Sequence, residues 1–178
     1  MCGKKLIFIV LFFSFLFMSQ ALYGAQYENY RWGMTKEDAI NLVSKNGYNI
    51  ASKSNIKDDD SENIGYFDNL FGNEIQVVLG FTPKSKKLHT VFITLKNNLS
   101  SSDSFYQDLL EVLKERYGDP AEPSGISFKD RHIWNDGDTS IILEHQFKTK
   151  LWYRHNNYFK IYEKEMKEIN TKEAEDKL

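Results

Sequence analysis

Four histidines, His89, His132, His145 and His155, are the side chains best suited to metal binding or proton transfer near neutral pH. No two have the H-x-x-x-H spacing that sets paired imidazoles on one helix face, and H-E-x-x-H does not occur. They fall on or beside four different predicted strands, so only a folded sheet could bring two together, with Glu144 or Asp130 as a third ligand. Asp58-Asp59-Asp60-Ser61-Glu62 invites a calcium reading. Counted from Asp58, an EF-hand would need glycine at the position of Asn63 and a bidentate carboxylate at that of Asn69. The run therefore reads as a solvated loop, the alternative being a weak calcium site of another type. Asp136-Gly137-Asp138 reads as turn chemistry before metal chemistry.

Nucleophilic and phosphate chemistry leave little trace. There is no G-x-S-x-G, and the serines between Ser100 and Ser104 precede a helix, where serines commonly cap. Gly65, Gly72 and Gly80 are isolated at strand edges and form no phosphate-binding loop. A pair of carboxylates for glycoside cleavage is defined in space, and nothing marks one pair among the 25 acids. Cys2 is the single cysteine, so the rest of the chain can form no disulfide, thiolate metal site or cysteine nucleophile. The sequence thus nominates no catalytic, cofactor-binding or metal-ligating residue, and no cofactor.

Cys2 also stands in front of the apolar run of the leader that gives the chain its predicted address. Lys4 and Lys5 precede an apolar run from Leu6 to Met18, interrupted by Ser14, and small or polar residues follow. This is the pattern of a secretory signal peptide. Thirteen helical residues rise about 20 Å, short of the roughly 30 Å hydrocarbon core. Cleavage after Ala21 satisfies the small-x-small rule through Ser19; cleavage after Ala25 leaves a longer spacer. The competing reading is an uncleaved anchor from Leu6 to Ala25. A lipoprotein would need its cysteine behind the apolar run, which Cys2 is not. The expected location is periplasmic or secreted, with no stable membrane span after cleavage.

Residues 26–170 are expected to form one domain, and 171–178 a charged tail. The whole chain has 178 residues, 41% hydrophobic and 27% charged, a balance that fits a packed globule and argues against disorder. Of its 23 basic residues two are in the leader, leaving 21 against 25 acids, so no basic excess points to nucleic acid.

Thr35-Lys36-Glu37-Asp38 is a capping-box start, and Gly47 stands where a left-handed stop is needed, giving a helix over 36–46. Trp32 and Met34 are expected to clamp its entry onto the core. Residues 66–70, 74–81 and 88–95 alternate with period two between short turns, an antiparallel meander with one buried face. Tyr106, Leu109, Leu110, Leu113 and Tyr117 make one helical stripe, closed by Gly118 and Pro120. Strands follow at 132–135, 139–147 and 151–154, then a helix from Asn157 on the spacing of Tyr158, Tyr162, Met166 and Ile169; residues 158–162 would suit a strand as well. The fold class is α+β: an antiparallel sheet with helices on one face. The element order reads either as two helix-plus-meander halves from a duplication or as two unrelated halves.

Trp32-Gly33-Met34-Thr35 opening one helix and Arg116-Tyr117-Gly118-Asp119-Pro120 closing another, with strands at Trp134, Ile141-Ile142-Leu143 and Tyr153, resemble a class of small exported bacterial proteins of unknown function. A weaker similarity, in the glycine-hydrophobic helix start, is to the outer-membrane assembly lipoproteins of the BamE/SmpA type. That similarity implies helices packed on a small antiparallel sheet, and neither resemblance supplies a catalytic residue.

Successive strand residues face opposite ways, so Trp152 and Tyr153 cannot enter the same core. Either one contacts a protein, peptide or glycan partner in the envelope, or the last helix covers that side. The sequence therefore points to an exported, non-enzymatic binding or envelope-associated protein. The alternatives are a periplasmic hydrolase whose site the fold assembles and an inhibitor-like interaction module. A hydrolase would gather two or more histidines and carboxylates in one concavity; a binder would scatter them.

Overall fold

The computed structural model describes residues 26–51, 63–96, 102–121 and 131–177. The leader, the acidic run before Asn63, Ser100, Ser101 and Asp130 lie outside the described residues.

Helix α1 (Lys36–Lys45) opens as its sequence dictates: the Asp38 amide donates to Thr35 Oγ1 at 3.2 Å, and that hydroxyl donates to Asp38 Oδ2 at 2.8 Å. Gly47 closes it at φ +80°. Strand β1 (Ile50–Ala51) has only two residues, too few for a readable pattern. The first meander is β2 (Ile64–Leu70), β3 (Asn73–Phe81) and β4 (Leu88–Leu95). Helix α2 (Ser102–Tyr117) starts earlier than its apolar stripe, the serine-rich link supplying its first turn. Gly118 ends it at φ +78°. The second meander is β5 (Arg131–Asp136), β6 (Thr139–His145) and β7 (Thr149–His155). Helix α3 (Asn156–Glu175) follows β7 without a linker. It takes up 158–162 as helix, and it runs past Thr171 through Lys172-Glu173-Ala174-Glu175, all good helix formers.

All the strands pair antiparallel in one sheet ordered β1-β2-β3-β4-β7-β6-β5. The two meanders therefore meet through their last strands, with Phe92 opposite Trp152. This strand order is that of two halves related by a two-fold axis through the β4–β7 pair, each preceded by its own helix.

One face carries Tyr66, Ile75, Val77, Leu79, Phe81, Val91, Ile93, Leu95, Ile141, Leu143, Leu151 and Tyr153, all buried. Ala39 and Val43 of α1 and Phe105, Tyr106, Leu109 and Leu113 of α2 join them in a single core. The second face is the destination of α3. That helix crosses β4 and β7 there, so two helices lie on one face and the third on the other. Its far half is pinned to the β3–β4 turn, where the amides of Lys84 and Ser85 donate to Glu165 and Lys84 Nζ pairs with Glu168 at 2.7 Å. Burial pushes the Glu165 carboxyl up, but these hydrogen bonds outweigh it and hold the carboxyl below its ordinary range.

Candidate functional site

The open part of the second face is floored by alternation. Residues that point away from the core on β3, β4, β7 and β6 include Val78, Phe92, Trp152 and Ile142. Phe92 and Trp152 sit side by side, ring centroids 5.1 Å apart, both half-buried. Helix α3 forms one wall through Phe159 and Tyr162. Between wall and floor runs a groove of about 400 Å3.

A bulge brings a histidine to this wall. Gly80 pairs with Thr90 but Phe81 pairs with Leu88, so His89 is the extra residue of β4. Its imidazole packs 4.6 Å from the Tyr162 ring and 5.7 Å from that of Phe159, and its Nδ1 is hydrogen-bonded to Thr90 Oγ1 at 2.7 Å. A Cβ on Gly80 would stand 3.5 Å from this imidazole, ordinary contact distance. The charged groups of the groove are Arg131, Glu144 and Arg154. Arg131 Nε and Glu144 Oε1 pair across β5 and β6 at 3.2 Å. Arg154 lays its guanidinium over Phe159, 4.5 Å from the ring centre.

The other histidines go elsewhere. His132 and His145 meet on the core face at the start of α2, where both rings lie against Tyr106 at 6.0 and 4.9 Å. His132 Nε2 is hydrogen-bonded to the Tyr106 hydroxyl at 2.7 Å. His145 links Asp103 (2.8 Å from Nε2) to Thr149 Oγ1 (2.9 Å from Nδ1). This has the members of a hydroxyl–imidazole–carboxylate triad but is inside out. Thr149 is fully buried and the Asp103 side chain is 88% exposed, whereas catalysis needs an accessible hydroxyl and a buried carboxylate. The trio fastens the first turn of α2 to the end of β6. Glu144, one of the two residues expected as a third ligand, points from the opposite face of the same strand. Among the described residues, no three acids, histidines or cysteines stand close enough to hold a metal ion.

His155 is the N-cap of α3: its Nδ1 accepts the Tyr158 amide at 3.4 Å while its ring packs on Trp32 and Tyr158. Burial lowers its pKa below the ordinary value of 6.5, against an opposing pull from Asp138. An accepting Nδ1 and a depressed pKa agree on a neutral imidazole.

A family model, the TP0088 domain, matches residues 25–165. The chain belongs to the TP0088 domain family. Its members are uncharacterised proteins, in keeping with the resemblance to small proteins of unknown function. No curated protein and no solved structure matches the chain. The TP0088 span runs from before α1 into α3 and includes every residue that lines the groove.

Within this TP0088 domain, Trp152 and Tyr153 divide as strand geometry requires. Tyr153 enters the core and Trp152 faces the groove. Helix α3 covers part of that side without covering Trp152 completely. Asp136-Gly137-Asp138 forms the β5–β6 hairpin turn, with Gly137 at φ +57°. Of the other groove residues, the sequence marks His89 and Glu144 only as possible metal ligands. Arg131 and Arg154 look like ordinary outward-facing strand charges until α3 is laid beside them.

Proposed function

We propose that this TP0088-family chain is an exported, non-enzymatic binding protein that acts through the open half of its second sheet face. One observation carries the reading: an aromatic floor, Phe92 beside Trp152, lies in a groove of about 400 Å3 walled by α3, within the size range of small-molecule sites. His132 and His145 meet, with Asp103, away from the groove, and His89 alone of the four lines it, which supports binding over hydrolysis in the groove. Export is supported by the apolar leader. The family match begins at residue 25, beyond the expected leader end at Ala21 and at its Ala25 alternative. Among the described residues no helix is long and apolar enough to cross a membrane.

Two measurements test the proposal. Mass spectrometry of the protein recovered from fractionated cells should find it outside the cytoplasm with Leu22 or Gln26 at its N-terminus. An intact leader on membrane material would favour the anchor instead. Fluorescence of the neutral apolar probe N-phenyl-1-naphthylamine should rise on adding the purified protein and fall back for Trp152→Ala. An unchanged signal in that variant would remove the groove as the site.

A further inference from the structure

Arg154 is the groove cation without a carboxylate partner among the described residues. Arg131 is matched by Glu144 at 3.2 Å. Arg154 instead lies over Phe159, its Cζ 4.5 Å from the ring centre. A guanidinium held over a ring spends none of its N–H groups there, and its terminal Nη donors can grip a carboxylate. Arg154 lines the groove together with Phe92, Trp152 and Ile142, surfaces that favour a flat apolar body. The chain as a whole is acidic, so long-range attraction does not draw anions to it, and any preference for them must arise locally.

We infer that the groove takes a small, flat carboxylate, its anion held by Arg154 and its apolar body lying on Phe92 and Trp152 beside the α3 wall. The inference rests on the groove being the binding site, and it adds the charge and shape of the occupant.

Calorimetric titration of the purified protein with naphthalene-2-carboxylate and with the uncharged naphthalene-2-carboxamide separates the two claims. The acid should bind at least ten-fold more tightly than the amide. Arg154→Gln should bring the two to equal affinity, Arg154→Lys should keep part of the preference, and Trp152→Ala should lose both. Equal binding of acid and amide by the native protein, or a preference that survives Arg154→Gln, overturns the anion inference and leaves the groove reading standing. Failure of both probes to bind overturns both. A dimer in sedimentation that dissociates on Trp152→Ala also overturns the inference, because the groove would then hold a second copy of the chain. Should Arg154→Gln fail to fold, the Arg154→Lys variant and the salt dependence of the acid's affinity, expected to weaken as salt rises, carry the same test.

Discussion

Gly33 stands directly against the phenol ring of Tyr158, so close that a Cβ at this position would overlap the ring. The contact ties the segment entering α1 to the first turn of α3. The same segment pairs with the start of β4, where the Gly33 amide donates to Leu88 O and the Leu88 amide to Met34 O. Trp32, Gly33 and Met34 thus join an N-terminal stretch, the central strand and the final helix. Gly33 also has φ +75°, a conformation that costs other residues roughly 1–2 kcal/mol.

Gly33→Ala should therefore lower stability by more than Gly47→Ala. Gly47 has a similar φ of +80° but nothing within 4 Å of an added Cβ, so its variant bears only the backbone cost, about 1 kcal/mol. Thermal melts of the two variants check this. Equal losses would mean that Tyr158 moves aside without cost.

The His155 cap predicts a pH dependence with a definite sign. A histidine whose folded pKa lies below its unfolded value stabilises fully above about 6.5, and loses that contribution as pH falls through 6.5 toward the folded value. His155→Asn keeps a capping acceptor but does not titrate. The variant's melting temperature should fall less than that of the native protein between pH 7 and pH 5.

The groove floor and the core should respond differently to truncation. Ile141 is fully buried, and Ile141→Ala should cost about 2–5 kcal/mol. Trp152 is half-buried on the other face, so Trp152→Ala should cost distinctly less while removing ligand binding. Chemical denaturation of both variants decides the matter. A loss at Trp152 equal to that at Ile141 would make the floor a second core.

Alkaline titration should reveal the tyrosines packed in and against the core. Burial pushes Tyr30 up to about 12, and it raises Tyr27, Tyr48, Tyr66 and Tyr153 further. Raised phenol pKa values stabilise below the ordinary value of 10 and cease to do so as pH climbs past it. Absorbance at 295 nm should therefore show these phenols ionising in one cooperative step, together with loss of near-ultraviolet circular dichroism. A gradual rise with the fold intact would contradict their burial.

The elements were legible because each is written in a local code. Period-two alternation in residues 74–81 and 88–95 became β3 and β4 with the expected residues inside. Thr35, Gly47 and Gly118 marked helix ends through side-chain hydrogen bonding and positive φ, which depend on a few neighbouring residues. The two-residue β1 was too short to show any period. The first turn of α2 was hidden among serines that favour caps as readily as helix.

The candidate site was largely illegible. Trp152 could be singled out, because its neighbour Tyr153 had to face the other way. Arg154, two residues on in the same strand, shares its face by alternation, whereas Phe92, Ile142 and Arg131 come from β4, β6 and β5. These three join the site only because β4 pairs with β7, β7 with β6 and β6 with β5. His89 reached the α3 wall through a bulge that its sequence does not announce. The sequence by itself determined the helix ends at Thr35, Gly47 and Gly118, the two meanders, the absence of thiol chemistry beyond Cys2 and the α+β class. All of these follow from residue identities and short-range periodicity. Tertiary structure alone decided which meander edges join, that α3 takes the second face, and that Arg154 meets an aromatic groove. Those outcomes depend on contacts between residues distant in the chain, which local spacing does not encode.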